Sequence, residues 1–582
     1  MGKKILLDFF NKHKISYMIG IFFMLLTSYI QTLFPKVLGD TVDILKEDHF
    51  RFSSVYTKIG YILLIAIGTF ASTHIWRNMV MGNGRKLECD LREKLFDHFL
   101  ILSPEFYIKR KAGDLIAYAI NDINAVRMTF GPATAMAING VVICAISIYS
   151  MTRSINIKVT LLALIPVPII VFFMFHIGKL VRKRFKKVQE NFSLISDRVQ
   201  ENISGIRVIK AYVQEDKEVE KFETLNSQMA ESNMDMIRIS AYLSPMIELC
   251  FTISFVLNLI IGGNMVLDGT ISLGKFVAFN GYLTMIINPV ISIGRIMTIF
   301  QRGMASLGRL NEIFTVTPDI KEPEHCIKTS VKGPIEINNL SFSYSDSEKE
   351  VLKDINLSIP DGCTLGIVGK MGSGKTTLIN LLLKLYNVPS GKIYFDGTDI
   401  NQCQLTGLRN SFGFVPQDNF LFHTSILDNI RFFKDIYSDE EVEEAAKNCC
   451  VYDSIKNFPD GFHTILGEKG INISGGQKQR ISIARALLKN PDILILDDAL
   501  SAIDTITESE IIHNLKKVRE NKTTIIVALR ISAVMNADKI IVLDDGKIIE
   551  QGTHSELLEK KGAYYDIYMS QHRYNKFESQ AS

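Results

Sequence analysis

A glycine-rich stretch, LGIVGKMGSGKTTLINLLL, has the residue types and spacing of a phosphate-binding loop. It fits the pattern G-x-x-x-x-G-K-[ST] and follows an apolar run. Glycines let backbone N–H groups close around phosphate oxygens, and the start of a helix adds partial positive charge. Lys375 is expected to reach the β- and γ-phosphates, and the Thr376 hydroxyl is expected to reach Mg²⁺. The stretch predicts an ATP and Mg²⁺ site formed by Gly369, Lys370, Met371, Gly372, Ser373, Gly374, Lys375, Thr376 and Thr377.

A second apolar run, DILILDD, ends in two acids. Asp497, at the end of the predicted strand, is placed to hold Mg²⁺ directly or through water. Asp498 follows, where a site that hydrolyses ATP is expected to carry a glutamate. The sequence therefore predicts a nucleotide site in which aspartate replaces one expected glutamate.

Between these two motifs, INISGGQKQRISIARALL places a glycine-rich turn at the start of a basic helix. Such a turn is an anion site, although it is also typical of an ordinary helix cap. Its position just before DILILDD resembles the signature motif of ATP-binding cassette (ABC) proteins. With that motif, nearly the whole chain resembles an exporter half-transporter, in which one membrane domain is fused to one cassette.

The resemblance implies roles for several further residues. Tyr344, in LSFSY, would stack on adenine, and Gln417, in FVPQD, would sense Mg²⁺ and link the site to the membrane helices. Cassettes of this family dimerise head to tail, so the signature would bind the γ-phosphate held by a partner cassette through Ser474, Gly475, Gly476 and Gln477. The stretch SAID would form the D-loop at the dimer seam, with Ser501 and Asp504 at its ends.

Two positions depart from the family pattern. Asp498 replaces the glutamate that acts as general base, which retracts the carboxylate by about 1.5 Å, the length of one C–C bond. A misplacement of about 1 Å can cost on the order of 100-fold in rate. Leu529 stands in ALRIS where the family has a histidine, and it has no donor or acceptor for a γ-phosphate or a water. His554 lies past the following strand and is no substitute. The sequence predicts a site that binds ATP and hydrolyses it slowly.

The signature, in contrast, is nearly intact, with Ile473 where leucine is usual. A good signature beside a poor base resembles the degenerate-site subunit of heterodimeric bacterial multidrug exporters. The resemblance implies a partner half-transporter with the glutamate, the switch histidine and an altered signature. A functional homodimer is the alternative.

The elements around these motifs predict two domains. Short apolar runs such as TLGIVG, ILIL and TTIIVAL alternate with helical stretches, which indicates an α/β P-loop ABC nucleotide-binding domain with a mostly parallel sheet over residues 335–582. A polar linker containing FTVTPDIKEPEHC covers residues 311–334. Residues 1–310 are predicted to form an all-α polytopic membrane domain.

That membrane domain rests on six apolar stretches, in a chain of 582 residues that is 47% hydrophobic. A bilayer crossing needs about 20 apolar residues. Buried helices of a soluble protein are the alternative, but six such runs in the first 300 residues argue against it. The predicted spans are residues 15–35, 59–76, 130–152, 159–177, 239–266 and 276–294.

Basic residues predict the orientation. Lysines and arginines crowd the connections between spans two and three and between spans four and five, which places both connections, both termini and the cassette in the cytoplasm. The N-terminal MGKKILLDFFNKHK lacks the features of a cleaved signal, so a multi-pass protein of the cell membrane is expected. A net charge of +3 does not favour nucleic acid, and eight cysteines without metal spacing favour free thiols.

The transported compound is the least determined feature. Glu248 lies inside the fifth span, and an ionisable group there is either functional or a helix-packing partner. We expect ATP-driven export of hydrophobic or amphipathic compounds, with membrane lipid as a further contact. A lipid or peptide exporter of the same architecture is the alternative, and a nucleotide-gated channel a more distant one. The six spans exclude a soluble cassette ATPase that acts on DNA or ribosomes.

Overall fold

A computed structural model describes residues 2–47, 51–322, 330–345, 347, 349–432 and 434–581. Contacts divide the chain into two compact units. One contains Met1–Ile101 and Arg110–Thr317, and the other contains Leu102–Lys109 and Pro318–Ser582. Residues 323–329, including Cys326, belong to the predicted linker and lie outside the described residues.

The first unit is all helical, which confirms the predicted fold class. Its helices, with one short helix of the second unit included as α3, are α1 Gly2–Leu45, α2 Phe52–Ile101, α3 Pro104–Ile108, α4 Ala112–Ala117, α5 Ile123–Met128, α6 Thr134–Ser154, α7 Ile157–Leu164, α8 Pro166–Ser204, α9 Ile206–Ala211, α10 Glu215–Ser240, α11 Leu243–Leu267 and α12 Leu273–Thr315. Two π-helical turns, Tyr118–Asp122 and Thr129–Ala133, interrupt the path from α4 to α6.

Among the described residues, six helical stretches are long and apolar enough to cross a membrane: Lys4–Leu45, Phe52–Ile101, Ala112–Ser154, Ile157–Ser204, Glu215–Leu267 and Leu273–Thr315. Each contains one predicted apolar span and extends beyond it. Large apolar side chains on their surfaces, such as Leu64 and Phe70, are exposed in the single chain. The last stretch reaches Thr315, so the first residues of the predicted linker are helical.

The membrane helices also meet through polar side chains. Ser28 donates to the Asn139 side chain at 2.7 Å, and the Asn258 amide donates to Asn280 at 2.8 Å. Such hydrogen bonds between helices are common where water is excluded, because an unpaired polar group there is costly.

The second unit contains two sheets. Its strands are β1 Ile335–Phe342, β2 Leu352–Ile359, β3 Thr364–Val368, β4 Ile393–Phe395, β5 Thr398–Asp399, β6 Phe412–Val415, β7 Ile493–Asp497, β8 Thr523–Val527, β9 Lys539–Asp544 and β10 Lys547–Gly552. The antiparallel sheet has the order β2-β1-β4-β5, and the six-stranded sheet has the order β10-β9-β3-β8-β7-β6. The larger sheet is parallel except for β10, as the alternating apolar runs predict.

Helices cover both faces of the larger sheet, so its central strands are buried on both sides. In β7, Ile493 and Ile495 pack into one apolar cluster while Leu494 and Leu496 pack into another, because successive side chains of a strand point to opposite faces. The helices are α13 Lys375–Leu382, α14 Leu405–Asn410, α15 Ile426–Arg431, α16 Asp439–Asn448, α17 Tyr452–Lys456, α18 Gly475–Leu488, α19 Thr505–Val518, α20 His554–Lys560 and α21 Ala563–Ala581.

Candidate nucleotide site

The residues predicted to hold phosphate and Mg²⁺, and the two altered positions, lie at the ends of four neighbouring strands. β3, β8, β7 and β6 are adjacent and parallel, so their carboxyl ends share one edge of the sheet, where ligands of open α/β sheets bind. The phosphate loop follows β3, Asp498 follows β7, residues 528–532 (the switch segment) follow β8, and Gln417 follows β6. One cavity of about 240 Å³ at this edge is lined by residues 371–377, Gln417, Asp497, Asp498 and Leu529.

The phosphate loop has the backbone shape that its glycines allow. Gly374 has a φ of 101°, in the left-handed region, immediately before α13 begins at Lys375. A Cβ atom at Gly369 would lie 2.1 Å from the carbonyl oxygen of Leu543, so no larger residue fits there. The loop therefore directs backbone N–H groups and the start of a helix toward the cavity.

Lys375 is held inside this loop. Its ammonium group donates to the carbonyl oxygens of Gly369 and Lys370, both at 2.8 Å. Burial lowers the pKa of Lys375, and the nearby carboxylates of Asp497 and Asp498 oppose that shift. The Lys375 ammonium group thus lies between the phosphate loop and the two acids at the carboxyl end of β7.

Asp497 is buried at the end of β7, with 2% of its surface exposed. Burial raises the pKa of Asp497, and the nearby Thr376 hydroxyl opposes that shift. Its second carboxylate oxygen, Oδ2, is buried without a hydrogen-bond partner. An unpaired buried carboxylate oxygen is costly, and Mg²⁺ binds oxygen ligands of this kind. The residues therefore fit Mg²⁺ at Thr376 and Asp497, with nucleotide phosphates on the adjacent loop.

Asp498 differs from its neighbour in both backbone and surroundings. Its φ is 48°, in the left-handed region, and its backbone N–H donates to Val527 on β8 at 2.9 Å. Burial raises the pKa of Asp498, and the nearby Ser501 hydroxyl and backbone N–H of Leu529 oppose that shift. The shortened carboxylate thus lies between the D-loop residue Ser501 and the switch segment.

The Leu529 side chain lines the cavity beside that carboxylate and is 38% exposed. It presents only carbon atoms to the cavity where the resemblance implies an imidazole. Its backbone carbonyl accepts a hydrogen bond from the Gln571 side chain at 2.8 Å, so the segment is held in place although its side chain is apolar.

Two further predicted residues sit at different distances from the cavity. Gln417 is exposed and lines it. Tyr344 does not line it, but its hydroxyl lies 2.9 Å from that of Thr377 on α13, and its ring packs edge-on against Tyr386. The aromatic side chain is therefore held against α13, the helix that follows the phosphate loop.

The signature residues do not line this cavity. Ser474 caps α18: its hydroxyl accepts from the backbone N–H of Gln477 at 3.2 Å, and the Gln477 side chain accepts from the backbone N–H of Ser474 at 3.0 Å. Ser474 and Gly475 are exposed at this helix start. The D-loop, residues 501–504, leads into α19, which Asp504 caps.

Glu248 lies apart from the nucleotide site. It is exposed on α11 in the first unit. Its predicted role stays a prediction.

Sequence reasoning missed a segment of the first connection that packs with the cassette. Leu102–Lys109 belong to the second unit, where Ser103 donates to Asp319 at 2.6 Å and Lys109 donates to Ser345 at 3.1 Å. The stretch RKAGDLIAYAINDI begins at the next residue. The start signal SPE, with proline at the first helical position, marks the segment in the sequence.

Glu508, Gln479 and Arg530 were also missed. Glu508 shares one face of α19 with Ile511 and Leu515, at the spacing of an apolar stripe. A carboxylate in such a stripe is the signal that could have identified it.

Comparisons with known proteins agree with this geometry. Residues 17–290 match the family described as ABC transporter transmembrane region, and residues 352–501 match the family described as ABC transporter. A probable multidrug resistance ABC transporter ATP-binding/permease protein of Bacillus subtilis is 38% identical over 98% of both chains. A multidrug resistance-like ATP-binding protein of Escherichia coli is 33% identical over 98% of this chain and 96% of its own.

A third relative, an ATP-dependent lipid A-core flippase of Syntrophus aciditrophicus, is 34% identical over 85% of this chain and 82% of its own. Among solved structures, a bacterial Atm1-family ABC exporter with ATP bound superposes with a TM-score of 0.80 at 25% identity. That alignment covers 95% of this chain and 99% of the exporter chain.

Proposed function

This chain belongs to the ABC transporter family, and we propose that it is the slowly hydrolysing half of a heterodimeric exporter of hydrophobic or amphipathic compounds. Membership makes it a multi-pass membrane protein and a transport ATPase. We propose in addition that its own ATP site is degenerate and that its partner is a different chain.

The observation that carries the proposal is the contrast at Asp498 and Leu529. The carboxylate that ends β7, Asp497, keeps a buried unpaired oxygen suited to Mg²⁺. The second, Asp498, is one methylene short of the expected base and lies beside Leu529, which offers no polar side-chain atom. A general base must come within about 2.6–3.2 Å of the proton it removes, directly or through a water. Binding is retained here while proton transfer is disfavoured.

Each group of residues in this chain would hold a different part of the bound nucleotide. Backbone N–H groups of the phosphate loop and Lys375 would hold the triphosphate, Thr376 and Asp497 would hold Mg²⁺, and Tyr344 would contact the base. ATP supplies the phosphoryl group whose transfer to water drives the cycle. Because neither Asp498 nor Leu529 positions a water well, nucleotide on Lys375 would mainly hold two cassettes together.

The signature motif supports the need for a partner. Ser474 and Gly475 are exposed at the start of α18 and lie outside this chain's own cavity. An exposed helix start with a free glycine backbone is an anion site that a second nucleotide can reach. We propose that the partner carries the glutamate and the histidine, and that its nucleotide completes the hydrolytic site against residues 474–477.

The membrane unit indicates the orientation of the chain, and the relatives indicate its class of substrate. Basic residues in the long connections favour a cytoplasmic cassette and cytoplasmic termini. The names of the Bacillus and Escherichia relatives favour multidrug export. A lipid exporter is the second candidate, because one relative of similar identity is a lipid A-core flippase.

Reconstitution tests the proposal. The chain is purified alone and together with a half-transporter that carries the glutamate and the histidine, and each preparation is placed in inside-out vesicles with a panel of amphipathic dyes and a labelled lipid. We expect ATP-dependent dye uptake only with the pair. Uptake by the single chain at the rate of the pair would contradict the heterodimer, and uptake of the lipid alone would favour the second candidate.

A further inference from the structure

Helix α19 carries a buried carboxylate that the proposed function does not use. Glu508 is 1% exposed, four residues after Asp504 of the D-loop. Its Oε1 accepts from the Ser532 hydroxyl at 2.8 Å, and its Oε2 faces the Arg530 guanidinium at 3.5 Å. Both partners belong to the switch segment, so one carboxylate joins the helix after the D-loop to the segment after β8.

Arg530 makes a second contact that closes this link. The same guanidinium nitrogen donates to the backbone carbonyl of Ile503, in the D-loop, at 3.2 Å. The switch segment therefore touches the D-loop directly through Arg530 and indirectly through Glu508. A cavity of about 10 Å³, lined by Asp498, Ser501, Glu508 and Arg530, lies between these groups.

The other side of the D-loop is tied to the signature helix. Gln479, on α18, accepts from the backbone N–H of Ala502 at 2.9 Å and donates to the Ser501 hydroxyl at 3.2 Å. Side-chain hydrogen bonds thus run from α18 through the D-loop to the switch segment. The switch segment is held in turn by Gln571, which pairs with the backbone of Leu529 and Ile531.

Helix formation does not account for Glu508. Asp504 already caps α19, since its side chain accepts from the backbone N–H of Thr507 at 2.9 Å. The apolar neighbours Ile511 and Leu515 on the same face would pack equally well against an apolar residue. Buried ion pairs are often no more stabilising than apolar residues of similar volume, so fold stability alone gives little reason for a carboxylate at this position.

We propose that Glu508 is a positioning residue that holds the D-loop and the switch segment as one body. Through Gln479, the surface that this chain offers to its partner's nucleotide then moves together with the edge of its own nucleotide site. This inference rests on the proposed function for its consequence, and on the contacts of Glu508, Arg530 and Ser532 for its geometry.

Hydrogen exchange on the purified full-length chain tests the geometry without a partner. Glu508→Gln removes the charge that faces Arg530, and Ser532→Ala is a milder variant that removes one hydrogen bond at an exposed residue. Glu510→Gln, on the exposed side of the same helix, is the matched control. We expect amide exchange in residues 499–504 and 528–532 to rise together by at least about fivefold in the first two variants, because local opening follows the loss of shared contacts. The control should exchange like the wild type.

A second readout in the pair addresses the consequence. Glu508→Gln is expected to lower the kcat for ATP by about tenfold with KM unchanged, since a displaced D-loop misaligns the partner's nucleotide without touching the phosphate loop. Arg530→Met should lower it similarly, and the double variant should be no worse than either single one.

The outcomes separate this inference from the proposed function. Exchange that rises in only one of the two segments, or equally in Glu510→Gln, would overturn the positioning role. A wild-type kcat in the Glu508→Gln pair would overturn its consequence. Brisk hydrolysis by the wild-type single chain would instead defeat the proposed function and leave the exchange result standing.

Discussion

The two walls of the nucleotide cavity are built on different principles. The wall formed by the phosphate loop depends on backbone shape, with Gly374 in a left-handed conformation and Lys375 bonded to two carbonyl groups of the loop. The opposite wall depends on two side chains, Asp498 and Leu529. A site can therefore keep its affinity for nucleotide while changes at two positions of the other wall reduce its chemistry.

The same comparison explains why the second wall stays ordered. Leu529 brings no polar group to the cavity, but the backbone of the switch segment is bonded to Gln571 and its Arg530 side chain is bonded to the D-loop. In our proposal the D-loop and signature serve a partner's nucleotide, which would preserve the structural contacts of this wall.

The largest effect is expected at Lys375. Lys375→Ala removes the ammonium group that neutralises the β- and γ-phosphates, and we expect ATP affinity of the single chain to fall by about 100-fold or more. Equilibrium binding of a fluorescent ATP analogue measures the change. Lys522→Ala is the control, because the Lys522 ammonium group bonds Asn490 on the surface. This variant should bind the ATP analogue as the wild type does. An equal loss in both variants would mean that the phosphate loop is not the binding wall.

The next effect is expected on the second wall. Asp498→Glu together with Leu529→His restores both missing groups, and we expect ATP turnover by the pair to rise by about tenfold or more. Asp498→Glu alone should give less than half of this gain, because general base and water-positioning group act as a unit. Steady-state phosphate release in the pair measures both. Unchanged turnover in the double variant would contradict our reading of these two positions.

A comparison of two helix caps isolates the signature. Ser474→Ala and Ser438→Ala each break a capping box, at the starts of α18 and α16, and each should lower stability by about 1 kcal/mol. Only Ser474→Ala is expected to lower ATP turnover of the pair, by about tenfold, because only that hydroxyl faces the partner's nucleotide in our account. Thermal unfolding and phosphate release measure the two quantities. A matching loss of turnover in Ser438→Ala would reduce the effect to stability.

The smallest effect is expected at Tyr344. Tyr344→Phe keeps the ring and loses the hydrogen bond to Thr377, worth about 1 kcal/mol, so ATP affinity should fall by about fivefold at most. Tyr344→Ala also loses the stacking surface and should weaken binding by about tenfold. Titration with an ATP analogue and with a triphosphate that lacks the base separates the two contributions. Equal loss for both ligands would argue against stacking.

Local patterns predicted the fold class because each element carries its own signal. The apolar runs that became β3, β7 and β8 are fully or nearly fully buried. Short continuous apolar runs of this kind are typical of strands in a parallel sheet that is covered on both faces. The ends of the membrane helices were harder to predict. Their charged extensions, such as the second half of α8, are amphipathic helices that an apolar count does not reach.

The nucleotide site likewise contains a part that the sequence predicts and a part that it does not. Phosphate-loop residues are adjacent in sequence, so spacing alone brings them together. The link between Glu508 and Arg530 joins residues 22 positions apart on different elements, and no local pattern encodes such a pairing. The packing of Leu102–Lys109 with the cassette likewise depends on tertiary contacts with Asp319 and Ser345.

The most direct test of slow hydrolysis is a single-turnover measurement on the purified full-length chain. Radiolabelled ATP is bound with Mg²⁺ to an excess of protein, and bound ATP and released phosphate are counted in the same sample, with Lys375→Ala as the blank. We predict saturable binding with hydrolysis slower than about 0.1 s⁻¹, against about 10 s⁻¹ for a typical enzyme. Tight binding followed by hydrolysis at about 10 s⁻¹ would contradict the account.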